Sequence, residues 1–123
     1  MCQTLLPCPQ SPNCVCSLNS DTAHFIESIT IPNEIEMAWE IWTDLIRSQC
    51  HAISVSSDEL HIQAVFRTPV FRFKDDVECL LDTENKVIHV RSASRVGYWD
   101  LGANRKRIER LRSAYKQATT IKE

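Results

Sequence analysis

Two groups of residues in this chain have the types and the spacing to do chemistry. The first group lies near the start, where Cys8, Cys14 and Cys16 fall within nine residues. The second lies near the end, where seven Arg and Lys residues and only two acidic ones occur between Arg91 and Arg112. Thiolates bind metals or form disulfides, and clustered guanidinium groups bind anions. These two groups are therefore the candidate sites.

The cationic group surrounds a predicted helix start. Asp100 is a suitable N-cap for a helix from Leu101, because its carboxylate can accept hydrogen bonds from the free amides of the first turn. A helix N-terminus with guanidinium groups nearby favours an anion, and Arg107 is expected close to the same helix start. We therefore expect a site for an anionic ligand or an acidic segment of a protein partner. Its predicted residues are Arg91, Arg95, Asp100, Asn104 and Arg105.

A structural role explains the closing group equally well. In this alternative, Asp100 caps the helix and the arginines hold the sheet, the helix and the N-terminal arm together. The sequence identifies no ligand and no partner that would separate the two interpretations.

The three N-terminal cysteines allow three interpretations. They could hold Zn²⁺ with His24 or Cys50 as the fourth ligand, although the paired two-residue spacers of structural zinc sites are absent. A disulfide from Cys8 to Cys14 would close a small loop in an oxidising compartment. All three thiols, including that of Cys16, could also stay reduced and pack as small hydrophobic groups. We favour the last interpretation, rank the disulfide above zinc, and expect no cofactor.

The sequence makes no adequate case for an enzyme. Its four histidines are scattered over predicted strands, and none belongs to a known catalytic motif. With two glycines in the chain, a loop that cradles phosphate is implausible. Asp75, Asp76 and Glu78 could hold a hard cation, but strand alternation places Asp75 on the opposite face from the other two. An enzyme that uses His89 or His24 is therefore the least favoured function.

Three motifs in the chain resemble those of a known family. They are Cys8-Pro…Ser11-Pro-Asn-Cys-Val-Cys-Ser17, then Phe71-Arg-Phe-Lys-Asp-Asp-Val-Glu78, then Arg91-Ser-Ala-Ser-Arg-Val-Gly…Asp-Leu-Gly…Asn-Arg-Lys-Arg-Ile-Glu109. In this order they resemble DUF1499, a domain of unknown function, over about residues 5–115. The resemblance implies one small domain without established enzymatic activity. Relatives occur in bacteria and photosynthetic eukaryotes, and more often carry Ser at the positions of Cys16 and Trp99.

Length and composition indicate one ordinary globular domain. The chain has 123 residues, of which 43% are hydrophobic and 24% charged, enough for a single modest core. The net charge of −2 argues against a general nucleic-acid binder. No apolar run is long enough to span a membrane, and no signal-peptide pattern follows Met1, so a cytoplasmic location is expected for the chain as written. Some relatives in the family resemble exported or plastid proteins.

Alternation and helical periodicity predict the order strand, helix, four strands, helix. The strands are expected at 24–31, 51–56, 60–67, 70–82 and 86–92, and the helices at 34–49 and from 101 onward. Asn33 is the expected cap of the first helix. We predict an α+β fold, with a single antiparallel sheet of about five strands and both helices on its one apolar face. Residues 1–23 form an N-terminal coil arm, and residues 24–119 form the single domain.

The register of the last hairpin can also be predicted. A two-residue loop at Glu84 and Asn85 brings apolar residues together on the core face and an ion pair together on the other face. The expected pairs are Leu81 with Ile88, Cys79 with Val90, and Glu78 with Arg91.

Overall fold

The computed structural model describes residues 5–32, 34–97 and 99–122. These ranges contain one sheet and two helices. In chain order the elements are β1 (Cys14–Cys16), β2 (Ile29–Thr30), α1 (Ile35–Arg47), β3 (Ala52–Ser57), β4 (His61–Arg67), β5 (Lys74–Asp82), β6 (Val87–Ser94) and α2 (Ala103–Lys122). None of the helices in these ranges has the length and apolar character needed to cross a membrane.

All strand pairs in the sheet are antiparallel, in the order β1-β6-β5-β4-β3, with β2 also on β6. The two short strands share one edge of β6, because β1 pairs with residues 91–93 and β2 with residues 87–88. The predicted α+β class and antiparallel sheet are confirmed. The described residues hold six strands instead of about five, since part of the predicted coil arm becomes β1. Three residues are too few for alternation to reveal such a strand.

The predicted register of the last hairpin is confirmed. Leu81 lies opposite Ile88, Cys79 opposite Val90, and Glu78 opposite Arg91. The apolar members of these pairs are buried beneath the helices, and the polar members lie on the other face. A shift by one residue would have placed polar residues opposite core residues, so the burial pattern excludes it, and the short loop favours this register over longer shifts.

The segment predicted as a first strand from His24 is mostly not a strand. Only β2 and an isolated bridge at Phe25 pair with the sheet. Instead, side chains of α2 satisfy the carbonyl groups of this segment: Arg105 donates to Phe25, and Arg112 donates to Glu27 and Ser28. Backbone groups need hydrogen-bond partners, but these partners can be arginines as well as a neighbouring strand. Local sequence does not distinguish the two cases.

The predicted strand from residue 70 begins four residues late, at Lys74. The segment before it is a loop closed by the Thr68 amide, which donates to the Phe73 carbonyl at 2.8 Å, and by the Phe73 amide, which donates to the Thr68 hydroxyl. Pro69 has no amide hydrogen for a strand ladder, and Arg72 lies in the left-handed region at φ 60°. Alternation in the predicted strand would place Phe71 and Phe73 on its apolar face, but in this loop both side chains are exposed.

Both helices pack on the apolar face of the sheet, as predicted. The centre of this core is an edge-to-face contact between Trp42 of α1 and Tyr115 of α2, with ring centroids 5.7 Å apart. The Trp42 indole also donates to the Cys79 sulfur at 3.2 Å. Helix α1 agrees with the predicted span to within two residues. Its predicted cap, Asn33, lies outside the described residues.

Candidate functional site

The start of α2 forms a tight polar turn. Asp100 accepts hydrogen bonds from the Gly102 amide at 2.8 Å and the Asn104 amide at 3.1 Å. The helix begins at Ala103, two residues later than predicted, because Leu101 and Gly102 lie in the left-handed region at φ 57° and 78°. Asp100 therefore caps the helix through its carboxylate.

Asn104, which is fully buried, connects the helix start to the sheet and to the N-terminal arm. Its side-chain nitrogen lies 2.6 Å from the Asp100 carboxylate, 3.1 Å from the Asn13 carbonyl and 3.0 Å from the Ser94 hydroxyl. Its side-chain oxygen accepts a hydrogen bond from the Ser92 hydroxyl at 2.6 Å. A buried amide needs these partners, and their distribution over three segments makes Asn104 a structural hub.

A buried ion pair lies beside this hub. The Arg107 guanidinium donates to Asp75 Oδ2 at 2.7 Å, and the two side chains are only 8% and 1% exposed. Arg107 also donates to Ser92 and Asn104, and lies 5.0 Å from the centre of the Phe66 ring. The second oxygen of Asp75, Oδ1, is buried without a hydrogen-bond partner. Buried charges require a partner, so the two residues depend on each other.

A cavity of about 760 Å³ opens next to this ion pair, between the end of the sheet, the start of α2, the loop at 68–73, and residues 95–97 and 99–101. We call it the α2 cavity. Because Phe66, Asp75 and Arg107 are buried, they form its inner wall. The mouth consists of large apolar side chains that are about half exposed or more. They are Val70, Phe71, Phe73, Val96, Trp99 and Leu101.

The apolar mouth is unusual for this surface. The described part of the chain exposes twelve large apolar side chains, and six of them line this one cavity. Single exposed apolar residues are normal, but a contiguous group on the rim of a cavity indicates a binding surface.

The charges at the α2 cavity differ in sign from the charge of the whole chain. Four Arg or Lys residues and two acidic residues line it, whereas the chain carries −2. Both acids are engaged, Asp75 with Arg107 and Asp100 with the helix amides. Arg67, Lys106 and Arg110 also line the cavity, and no ion pair found among the described residues includes them. The cavity is thus locally cationic.

The three arginines of the predicted anion site do not converge. Arg95 pairs with Asp76 through two contacts of 2.9 Å. Arg105 donates to the backbone carbonyls of residues 23 and 25. Arg91, on β6, lies opposite Glu78 of β5, and the Nε atom of Arg91 is buried without a hydrogen-bond partner. Each arginine lies in a different part of the surface. Anion binding by this set stays a prediction.

The other two predicted site residues are in contact. Asp100 lines the α2 cavity, and Asn104 lies directly behind it. The sequence analysis considered Asp75 only as a cation ligand and missed its buried ion pair, although a signal was present: in β5 it occupies the same alternating face as Val77, Cys79 and Leu81, which are core residues. A carboxylate in line with core positions indicates a buried partner.

The N-terminal cysteines form one disulfide. Cys8 and Cys14 are bonded, with their Cα atoms 5.7 Å apart, instead of being the reduced thiols that the sequence analysis favoured. Cys16 is a buried free thiol, and burial raises its pKa. Within residues 5–32, 34–97 and 99–122, no group of three or more His, Cys, Asp or Glu side chains could hold a metal ion. Because Cys14 is buried in β1, the disulfide is placed to tether the arm.

Two histidines on the outer face of the sheet pair with acids. His61 contacts Glu78 at 3.2 Å, and His89 lies between Asp82 at 3.2 Å and the Ser17 hydroxyl at 3.4 Å. Ser17, His89 and Asp82 are the three residue types that occur in a hydrolase triad. However, the Ser17 hydroxyl already accepts the Val90 amide, and none of the three lines a cavity described here. The Ser17 contacts with His89 and Val90 hold the arm onto β6.

Comparison with known proteins gives one match. A family model described as a protein of unknown function, DUF1499, matches residues 4–115. No curated protein and no solved structure shows significant similarity to the chain. The matched range covers most of the 123 residues and contains all three motifs that suggested this resemblance. The chain therefore belongs to the DUF1499 family.

Proposed function

We propose that this domain binds an amphipathic anion, with an apolar body and an anionic head, in the α2 cavity. The observation that carries the proposal is the combination of six exposed apolar side chains and an excess of cationic ones around a single cavity. The proposal keeps the anionic ligand expected from the closing motif. It assigns the anionic head to two other residues of the same segment, Lys106 and Arg110, and to Arg67 of β4.

The apolar side of the cavity suits the body of such a ligand. The volume of the α2 cavity lies in the range of about 300–1,000 Å³ that small-molecule sites occupy. Phe66 and Leu111 supply buried apolar wall, and Phe71 and Trp99 supply exposed apolar rim. An apolar body that covered the rim would remove these rings from water, which is worth about 25 cal/mol for each Å² buried.

The cationic residues suit the head group. Lys106 and Arg110 are one helical turn apart, so they lie on the same face of α2, and both are exposed. Arg67 lines the cavity from β4. Arg107 is already neutralised by Asp75, so these three residues supply the positive charge that remains for a ligand.

The test compares two ligands that differ only in the head group. Decanoate and decanol share one alkyl chain, and calorimetric titration gives the affinity of each. We expect decanoate to bind more tightly, because only its carboxylate pairs with Lys106 and Arg110. Arg110→Glu should weaken the binding of decanoate about thirtyfold, since the change removes one attraction and adds one repulsion of about 1 kcal/mol each.

The matched control for this test is Lys116→Glu. It makes the same charge change on the same exposed helix, at a position that does not line the α2 cavity. Equal loss of affinity in both variants would show a general effect of net charge and refute the proposal. Failure of wild-type protein to bind either ligand would refute it as well.

A further inference from the structure

The mouth of the α2 cavity is also the most apolar part of the described surface. The loop at 68–73 contributes Val70, Phe71 and Phe73, and the rings of Phe71 and Phe73 stack with centroids 5.6 Å apart. A second loop, at 99–101, contributes Trp99, which is 67% exposed, and Leu101. We call these five residues the apolar tip. Val70 and Phe71 are 80% and 70% exposed, so much of the apolar surface of the tip is in contact with water in the isolated domain.

The conformation of Leu101 supports an external partner for the tip. A bulky residue in the left-handed region is unfavourable by about 1 kcal/mol or more. Leu101 adopts φ 57°, and its side chain is nevertheless 64% exposed. The isolated domain therefore gains little burial in return for this local cost. An apolar phase in contact with Leu101 would provide that burial.

Cationic side chains surround the tip. Arg72 and Lys74 are exposed and alternate with the tip residues of the first loop, and Lys106 and Arg110 border the second. The nearby acids are engaged within the domain, since Asp75 pairs with Arg107 and Asp76 with Arg95. Aromatic residues bordered by Lys and Arg are typical of proteins that lie in the interface of an anionic membrane.

We propose that the apolar tip docks on an anionic lipid bilayer, so that the α2 cavity opens toward the lipid interface. Charge complementarity selects a negatively charged partner, and the position of the cavity selects a bilayer. A protein docked on the tip would close the mouth, whereas a bilayer contains the amphipathic anions that the cavity is proposed to bind. The choice of occupant thus rests on the proposed function. The apolar and cationic surface itself is observed independently of the proposed function.

The experiment is sedimentation with two kinds of vesicle, one of phosphatidylcholine alone and one that also contains phosphatidylglycerol. We expect binding to the anionic vesicles, weaker binding at high salt, and little binding to the neutral ones. Trp99 should leave water on binding, so tryptophan emission should shift to shorter wavelength in wild type and much less in Trp99→Phe. Equal binding to both kinds of vesicle, or to neither, would overturn the proposal.

Three variants and two matched controls test the residues. Arg72→Gln and Lys74→Gln should each weaken binding to anionic vesicles about fivefold, as expected for a cation near an anionic surface. Lys116→Gln, with the same charge change elsewhere, should leave it unchanged. Phe71→Ser should weaken vesicle binding at least tenfold, whereas Leu60→Ser, which alters an exposed apolar residue away from the tip, should not. Equal effects of a variant and its control would overturn the assignment.

Decanoate titration without vesicles separates this proposal from the proposed function. Arg72 and Lys74 do not line the cavity, so Arg72→Gln and Lys74→Gln should bind decanoate as wild type does. Vesicle binding without decanoate binding would refute the ligand and support the docking surface. A concentration-dependent dimer that shields Trp99 in the absence of vesicles would show that a second copy covers the tip, and would overturn bilayer docking.

Discussion

The buried ion pair between Asp75 and Arg107 gives a prediction whose size follows from the contacts. Arg107→Met keeps an unbranched side chain of moderate length but removes the guanidinium. The Asp75 carboxylate would then stay buried with no partner on either oxygen, because Oδ2 contacts Arg107 and Oδ1 has none. Loss of one member of a buried pair destabilises by about 3–5 kcal/mol. That is a large part of the roughly 5–15 kcal/mol expected for a domain of this kind.

Urea unfolding followed by tryptophan emission measures this free energy. Asp75→Leu should destabilise similarly, because it leaves the guanidinium without its carboxylate. The double variant should be more stable than the sum of the two single effects predicts, since neither charge then remains. The matched control is Arg95→Met: Arg95 pairs with Asp76, one position along β5 on the exposed face, and its loss should cost at most about 1 kcal/mol.

Two results would refute this reasoning. A loss below about 1 kcal/mol in Arg107→Met would mean that water reaches Asp75 and that the pair is not effectively buried. Additive effects of the two single changes would mean that the residues do not depend on each other.

Three further predictions concern groups outside the ion pair. Cys50 is exposed and lines the α2 cavity, so it should react with an alkylating agent in the native protein and be protected by decanoate. Cys79 should not react, because burial raises the pKa of its thiol to about 12. Peptide mass spectrometry measures the labelling of both cysteines, and rapid labelling of Cys79 would contradict its burial. The Ser11 carbonyl and the Asp21 carboxylate raise the pKa of His24, so the protonated form of His24 stabilises the folded arm. This stabilisation is complete at pH values below the ordinary pKa of about 6.5, and it is lost as the pH rises through the pKa of His24 in the folded protein. Nuclear magnetic resonance titration of His24 should therefore show a midpoint above that of an unfolded control, and a lower midpoint would contradict the geometry. Asp100→Ala should lower the free energy of unfolding by about 0.5–2 kcal/mol, whereas Asp100→Asn, which can still cap the helix, should cost less, so equal losses in urea unfolding would argue against capping.

Residues of the closing motif and of the helix after it make more structural contacts than a ligand site alone would require. Asp100 caps α2, and Asn104 connects it to β6 and to the arm. Arg105 and Arg112 donate to carbonyls of the segment before β2. These contacts agree with the structural alternative for the motif. The proposed ligand contacts fall on the residues between them, Lys106 and Arg110, whose side chains the fold leaves available.

Much of the fold was accessible from local pattern. Alternation in β4 through β6 places one apolar face beneath the helices. The register of the last hairpin follows because a shift by one residue would put Arg91 opposite a core residue, and the short loop favours the observed register over longer shifts. Asp100 as a helix cap also follows from residue type, since the bonds involved are local. These features depend on neighbours within a few residues or on a two-residue period.

The sequence by itself therefore determined the α+β class, the single antiparallel sheet, the helix faces and the hairpin register, because each is set by local preference and by the alternation of burial. Tertiary structure alone decided which backbone groups the arginines satisfy and how Phe71 and Phe73 leave the apolar face to form a mouth. It also decided that Asp75 meets Arg107, 32 residues away, across the sheet–helix interface. Such contacts depend on packing between distant segments, and no local period encodes which segments meet.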